Sequence, residues 1–324
     1  MAKLETKYMG ISLNNPIIVS SSGLTDSVDK IKSIEANGGG AVVLKSLFEE
    51  QINVEAGQMI DEKVHTEALD YIKNYSKNRS VDDYLTLIKN AKKESNIPVI
   101  ASINCMSAKD WTDFSKKIED AGADGLELNL FIFPTSKDIS SETYEMRYLE
   151  LVEKINNNIS IPTAVKIGPY ITNLTRLTYR LSVLKTSAVV LFNRFYAPDI
   201  DINNLAFKSS DIYSSPKDIS QSLRWIGILS DKIKEIDFSA STGIHDGEAI
   251  IKLLLAGAKT TQICSVLYKN DYAYINKMKD TLNNWMKNNN FNSLDDFRGK
   301  MSYKKIEDPS VFERIQFMKY YASK

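Results

Sequence analysis

The sequence predicts an α/β fold, a (β/α)8 barrel of the TIM type, on three observations. Short β-branched runs alternate with amphipathic helical runs. Several helix-to-strand joints share one small-residue pattern, and polar residues gather where the apolar runs end. Repeated βα units of this kind specify a parallel sheet covered by helices, and eight of them favour a closed barrel over an open sheet.

The eight predicted strands are Ile17–Ser21, Ala41–Lys45, Val99–Asn104, Gly125–Leu130, Thr163–Ile167, Ala188–Asn193, Asp237–Ala240 and Thr261–Cys264. Between them, apolar residues recur at helical spacing and define one buried face per helix. Examples are Val28, Ile31 and Ile34; Trp111, Phe114 and Ile118; Leu174, Leu177 and Leu181; and Ile250, Leu253 and Leu254. The joints read NGGGAVVL at 37–44, AGADGLEL at 121–128 and AGAKTTQI at 256–263. In each, a glycine ends the helix and small residues let it pack close to the next strand. No linker divides the chain, so residues 1–324 are read as one barrel domain with a peripheral tail from about 294. The long segments Glu49–Ser80 and Phe195–Ser220 are excursions after strands two and six. In a barrel both leave from the C-terminal face, where ligands bind.

Composition narrows the function classes. Forty-one basic residues balance 41 acidic ones, and no basic tract marks a nucleic-acid surface. No run approaches the ~18 apolar residues of a membrane span, and the N-terminus carries no signal-peptide core. Two distant cysteines, Cys105 and Cys264, make neither a disulfide framework nor a metal cluster. The two histidines fit no zinc spacing, so no metal site is expected. These features describe a cytoplasmic protein without nucleic-acid or membrane partners.

The strand ends carry the chemistry. Ser21, Ser22 and Gly23 follow strand one, Lys45 ends strand two and Asn104 ends strand three. Glu127 and Asn129 lie in strand four, Lys166 in strand five and Asn193 and Arg194 at the end of strand six. Lys45 and Lys166 each close a strongly apolar run, where an unpaired ammonium is costly to bury. Either they pair with a structural carboxylate such as Glu127, or they face a shared anionic or electron-rich ligand. Asn129 and Asn193 offer donors and acceptors that suit the edge of a planar heterocycle, or else make ordinary strand-end hydrogen bonds. Ser241–Gly243 and Cys264–Ser265 stand at the usual phosphate position of a barrel, after strands seven and eight. Neither forms a Walker or dinucleotide fingerprint.

Taken in order, these pieces resemble the flavin-dependent dihydroorotate dehydrogenase family. The resemblance runs over about residues 5–300 and rests on NNPIIVSSSG at 14–23, GGGAVVLKS at 38–46, GADGLELN at 122–129 and IPTAVKIGP at 161–169. LFNRF at 191–195, STGI at 241–244 and AGAKTTQICS at 256–265 continue it. KSLFEEQI at 45–52, LFNRFYAPDIDI at 191–202, LRWIGIL at 223–229 and SLDDFRG at 293–299 are similar to a divergent branch of that family. The resemblance implies an FMN-containing barrel and a homodimer. Ser21, Ser22 and Gly23 would lie beside the flavin ring, and Lys45 and Lys166 would approach its polar edge and serve as the catalytic cations. Gly243, Cys264 and Ser265 would surround its phosphate. Asn104 joins the cofactor-binding set, and Asn129 and Asn193 would be shared between flavin and a small planar substrate.

The chain also departs from the family pattern. ELN is followed by LFIFPTS at 130–136, so Phe131 and Ile132 stand where the family carries a serine or cysteine base. The family's substrate asparagines are unrecognisable in 49–80, and its paired glycines after strand seven read Thr242–Gly243. Candidate replacement bases on the active face are His65, Glu67, Thr135, Ser136 and Tyr170; Cys105 follows strand three and could approach that face, and His245 either closes over the phosphate or starts a helix. Phe131, Phe133, Tyr170 and Tyr196 suggest an aromatic wall, whether for a flat substrate or for a lid or interface. The expected activity is hydride transfer between a small planar metabolite and FMN, with fumarate, a nicotinamide cofactor or another protein as second redox partner. The alternatives are a lyase or isomerase acting on a phosphorylated substrate, and a non-catalytic flavin-binding protein.

Overall fold

The computed structural model describes residues 2–48, 81–105 and 111–314. An antiparallel hairpin, β1 (Thr6–Tyr8) and β2 (Ile11–Leu13), precedes the first barrel strand, β3 (Ile17–Val19). Helix α1 (Val28–Ala36) leads to β4 (Ala41–Val43) and the short β5 (Leu47–Phe48). Then follow α2 (Val81–Glu94), β6 (Val99–Cys105), α3 (Trp111–Asp120), β7 (Gly125–Leu130), α4 (Ser141–Asn156) and β8 (Thr163–Ile167). Helix α5 (Leu174–Val183) precedes β9 (Ala188–Leu191) and a second hairpin, β10 (Pro198–Asp201) and β11 (Ala206–Ser209). The last units are α6 (Ile219–Lys232), β12 (Asp237–Ser241), α7 (Gly247–Ala256), β13 (Thr260–Ile263), α8 (Ser265–Lys269) and α9 (Tyr274–Asn288). A short helix, α10 (Ser310–Glu313), comes after them.

Strands β3, β4, β6, β7, β8, β9, β12 and β13 pair in parallel around a closed ring, with β13 returning to β3. The predicted barrel is therefore the observed one, and all eight predicted strands lie within two residues of the observed boundaries. Strand two is the instructive exception. Its ladder runs to Leu44, whose amide donates to the Ile100 carbonyl at 2.9 Å, and resumes at Leu47; between them the Ser46 amide donates to Ser21 Oγ at 2.9 Å. The three helix-to-strand glycines behave as expected: Gly38, Gly122 and Gly257 have φ of 80°, 92° and 116°, the left-handed region that ends a helix without a Cβ clash.

Side-chain parity divides the core in two. Leu126, Leu128, Val165 and Ile167 face outward into the layer shared with the helices, together with Ile31, Phe114, Leu177 and Leu253. Ile18, Val43, Ile100, Ala164 and Val190 face inward. Period-two alternation carries the same inward face upward to Ser20, Lys45, Ser102, Glu127 and Lys166. The polar ring at the strand ends is thus the top of an apolar interior.

The β1–β2 hairpin closes the bottom. Tyr8, Met9 and Leu13 join the inner cluster, and the Met9 amide donates to Asp237 Oδ2 at 2.9 Å. Burial raises the pKa of that carboxyl. On the outer surface, residues after α9 pack back onto the helices: Phe297 is fully buried and contacts the Trp285 and Phe291 rings. The amides of Met301 and Tyr303 donate to the Leu255 and Gly227 carbonyls. Replacing a plug residue should cost as much as a core truncation. Met9→Ala is expected to lower the unfolding free energy by about 2–5 kcal/mol, read by chemical denaturation.

Candidate active site

A cleft of about 310 Å³ opens at the C-terminal end of the barrel. Its floor is built from strand-end side chains, including Ser20, Ser21, Lys166 and Gln262, and one wall is the 241–244 loop. Cys264 and Ser265 form the adjoining edge, and Asn193–Ala197 with the return of the strand-six excursion form the other side.

Lys166 is 6% exposed and Glu127 1%, so the barrel encloses both charges. The Lys166 ammonium donates to Ser20 Oγ and to Gln262 Oε1, each at 3.0 Å, and lies 3.5 Å from Glu127 Oε1. Gln262 Nε2 in turn donates to Glu127 Oε2 at 2.6 Å. The carboxylate pairing considered from sequence therefore exists at Lys166, while the same lysine also lines the cleft. A second chain of hydroxyls crosses strands one to three: Ser21 Oγ lies 3.0 Å from Ser46 Oγ, which lies 2.8 Å from Ser102 Oγ. Lys45 sits half-buried in the break beside Ser46.

Asn193 Nδ2 donates to Asn129 Oδ1 at 3.0 Å, and its amide is fixed by the Ile167 carbonyl at 2.8 Å. Only Asn193 of this pair lines the cleft; Asn129 is one hydrogen bond behind it. Ser22 and Gly23 turn away from the lining. Ser22 Oγ donates to the Ser20 carbonyl, and the Gly23 carbonyl accepts from Lys30 Nζ at 2.7 Å. Asn104 pairs in register with Asn129 on the neighbouring strand. The structure therefore gathers Ser21, Lys166, Asn193, Gly243, Cys264 and Ser265 around one opening, and leaves Lys45, Asn104, Asn129, Ser22 and Gly23 around its margin.

The 241–244 loop is shaped by two successive left-handed residues, Thr242 with φ 75° and Gly243 with φ 80°. Thr242 Oγ1 anchors the turn by donating to the Phe192 carbonyl at 3.0 Å. A Cβ on Gly243 would overlap the Ile219 backbone nitrogen at the start of α6. The glycine thus serves both the turn and the close helix approach. The N–H groups of Gly243 and Ser265 donate to no protein acceptor among the described residues.

The excursion after strand six is tied at both ends. Arg194 donates to the Ile212 carbonyl at 2.6 Å and to that of Asp211. The Ser214 amide donates to Ser265 Oγ at 3.1 Å, and Ser214 Oγ lies 3.0 Å from His245 Nε2. His245 therefore braces the excursion, while Asp246 caps α7 by accepting from the Ala249 amide at 2.8 Å. Burial, and then the Lys269 ammonium, hold the His245 imidazole below its usual pKa. Burial pushes the Cys264 thiol up, so it stays protonated at neutral pH.

Beside the cleft stands an aromatic wall. Phe195 lies 4.3 Å from Phe131 and 5.2 Å from Tyr170, centroid to centroid, the latter pair nearly parallel at 11°. Phe195 approaches so closely because position 168 is glycine, whose Cβ would overlap the ring. Thr135 and Ser136 are exposed on the far side of this wall, and Ile132 N–H is held by Tyr148 Oη at 2.8 Å. His65 and Glu67 lie outside the described residues. Among the described residues no group of acids, histidines and cysteines could hold a metal ion.

Sequence reasoning missed Ser20 and Gln262. Gln262 was readable in principle as the one long polar side chain within a buried strand, TTQI, at the parity that faces the barrel interior.

The barrel interior thus ends in a cleft lined by a buried lysine and by the loops after strands seven and eight. The chain belongs to the dihydroorotate dehydrogenase family, whose sequence profile matches residues 3–286. It is similar to the catalytic subunit of an NAD(+)-dependent dihydroorotate dehydrogenase B from Thermoplasma acidophilum. The two are 27% identical over 304 residues, covering 92% of this chain and 99% of that protein. The equivalent subunit from Methanocaldococcus jannaschii is 25% identical over 301 residues, covering 89% and 94% respectively.

Two outcomes follow from the loop geometry. Gly243→Ala should destabilise the fold by more than the ~1 kcal/mol of an ordinary glycine replacement, because strain and backbone overlap add; differential scanning calorimetry measures this. His245 has a folded pKa below its unfolded value, so the unfolded chain binds more protons in acid. Its contribution is present above the ordinary imidazole value of 6.5 and is lost as pH falls through the depressed one. The loss of stability below pH ~6.5 should shrink in His245→Gln, measured as Tm against pH.

Proposed function

We propose that this protein is an FMN-dependent oxidoreductase that moves a hydride between a small planar metabolite and the flavin, acting on a CH–CH bond. The observation that carries the reading is the cleft lined by buried Lys166 together with Thr242, Gly243 and Ser265, where the Gly243 and Ser265 amides have no protein acceptor among the described residues. Those donors suit a phosphate, and the cleft floor suits the polar edge of a flat ring, so the residues present fit FMN. When bound, FMN supplies the hydride chemistry that amino-acid side chains lack. Ser21, Lys166, Gly243, Cys264 and Ser265 would line it, with Lys45, Asn104, Ser22 and Gly23 at its margin.

Lys166 places a fixed positive charge where negative charge develops, in a water-poor barrel interior that strengthens its effect. Asn193, oriented by Asn129, presents one edge to the substrate. Phe195 lines the cleft and packs on Phe131, which gives the approach one aromatic side. Phe131 and Ile132 carry no group that accepts a proton, which supports a substrate other than dihydroorotate, or a base drawn from another segment.

The relatives are named as catalytic subunits acting with NAD(+). That supports a second redox substrate for this chain, delivered by a partner protein or by a nicotinamide cofactor. No described helix is long and apolar enough to cross a membrane. A homodimer is part of the same proposal: Ile200 and Phe207, paired across β10 and β11, are 56% and 80% exposed on one hairpin face.

Purified protein should be yellow and release FMN on denaturation, identified by absorbance and mass; a colourless protein that stays apo with added FMN would point to the lyase or isomerase reading. Lys166→Met is expected to slow anaerobic flavin reduction by about 10²–10³-fold, followed at the flavin absorbance band. Reduction by dihydroorotate at an ordinary enzymatic rate would restore that compound as the substrate. Ile200→Asp with Phe207→Asp should halve the mass measured by light scattering.

A further inference from the structure

We propose that Glu127 is a positioning residue that balances the Lys166 charge and thereby keeps the flavin's affinity for electrons low. The inference rests on the FMN reading above and concerns a buried carboxylate to which that reading gives no task.

Hydrogen-bond chemistry leaves one arrangement for these side chains. An ionised carboxylate only accepts and an ammonium only donates. Gln262, placed between them, must therefore point its NH2 at Glu127 and its carbonyl at Lys166, as the 2.6 and 3.0 Å contacts show. Glu127 thus acts on Lys166 twice: through the amide it orients, and through its second oxygen across 3.5 Å. That second oxygen, Oε1, is buried and has no hydrogen-bond partner among the described residues. It faces the lysine's charge at ion-pair distance rather than at hydrogen-bond distance.

The donor count makes this significant. Lysine has three N–H donors. Two are committed at 3.0 Å, to Ser20 and Gln262, and the third meets Glu127 only at ion-pair distance. Lys166 thus lines the cleft while its charge is balanced by Glu127, which lies outside that lining. An unbalanced ammonium would hold an anionic reduced ring too tightly for the hydride to move on. With Glu127 in place, the site binds the oxidised and reduced forms more evenly.

The test compares oxidised and reduced FMN affinities, measured anaerobically by fluorescence titration, for the wild type, Glu127→Asp and Glu127→Gln. Glu127→Gln keeps shape and removes the charge, so the reduced-to-oxidised affinity ratio should rise by about tenfold or more, the scale of one nearby buried charge. Glu127→Asp retracts the charge and should raise the ratio by a smaller factor; it decides the matter if Glu127→Gln fails to fold. In a Lys166→Met background the carboxyl has no cation to balance, and Glu127→Gln should leave the ratio nearly unchanged. Equal weakening of both affinities, with a constant ratio in both variants, would overturn the proposal and make Glu127 purely structural. A persistent rise in the Lys166→Met background would overturn the route through lysine. A wild type that binds no FMN defeats the functional reading itself, a result distinct from a flat ratio in a yellow protein.

Discussion

A positive charge inside a closed barrel has to be balanced, and much of the upper barrel is arranged around that constraint. Lys166 stands on β8, Glu127 on β7, Gln262 on β13 and Ser20 just beyond β3, so four strands contribute to one ammonium. A buried ion pair gains little net stability unless its remaining lone pairs and protons are satisfied. Here Gln262 satisfies one oxygen of the carboxylate and one proton of the ammonium at once. Strand order and register are thereby coupled to the chemistry: slipping any of these strands by one residue turns its polar member out of the interior.

That coupling explains the division between the lower and upper barrel. Below the charge network, the interior is filled by small and branched apolar side chains and plugged by Tyr8, Met9 and Leu13. Above it, hydroxyls and amides take over, and the backbone after β12 leaves its donors open. On β4, β6 and β8 the transition occurs within two residues, from Val43 to Lys45, from Ile100 to Ser102 and from Ala164 to Lys166. Alternation alone sets these steps, since residues two apart share a face.

The barrel was legible because its signals are local. Helical periodicity, the glycine joints and β-branched runs each report on a few neighbouring residues, and eight repetitions of the same unit leave few architectures. The lysines and asparagines stood out as polar residues closing apolar runs. What the sequence hid depends on contacts distant along the chain. Lys166 and Gln262 are far apart in sequence, so no local pattern tells which partner each chooses. The β1–β2 hairpin was missed for the same reason: its strands are three residues long, and their burial comes from the barrel they plug. The β10–β11 hairpin carries apolar residues on an exposed face, against the usual pattern of a solvated loop.

The excursion after strand six shows why the site cannot be read strand by strand. Its first residues, Asn193 to Phe195, supply a cleft-lining amide and part of the aromatic wall. Its last ones, through Ser214, hold Ser265 and His245 at the edge of the open backbone donors. Arg194 clips the two ends together by donating to the Asp211 and Ile212 carbonyls. The hairpin between them therefore projects from a closed base, and its exposed apolar face is held in fixed relation to the cleft. A guanidinium that sequence reading placed among the ligand-facing polar groups is instead spent on backbone geometry. The positive charge offered to a ligand from the cleft floor then falls to Lys166, which is why the balance struck by Glu127 matters.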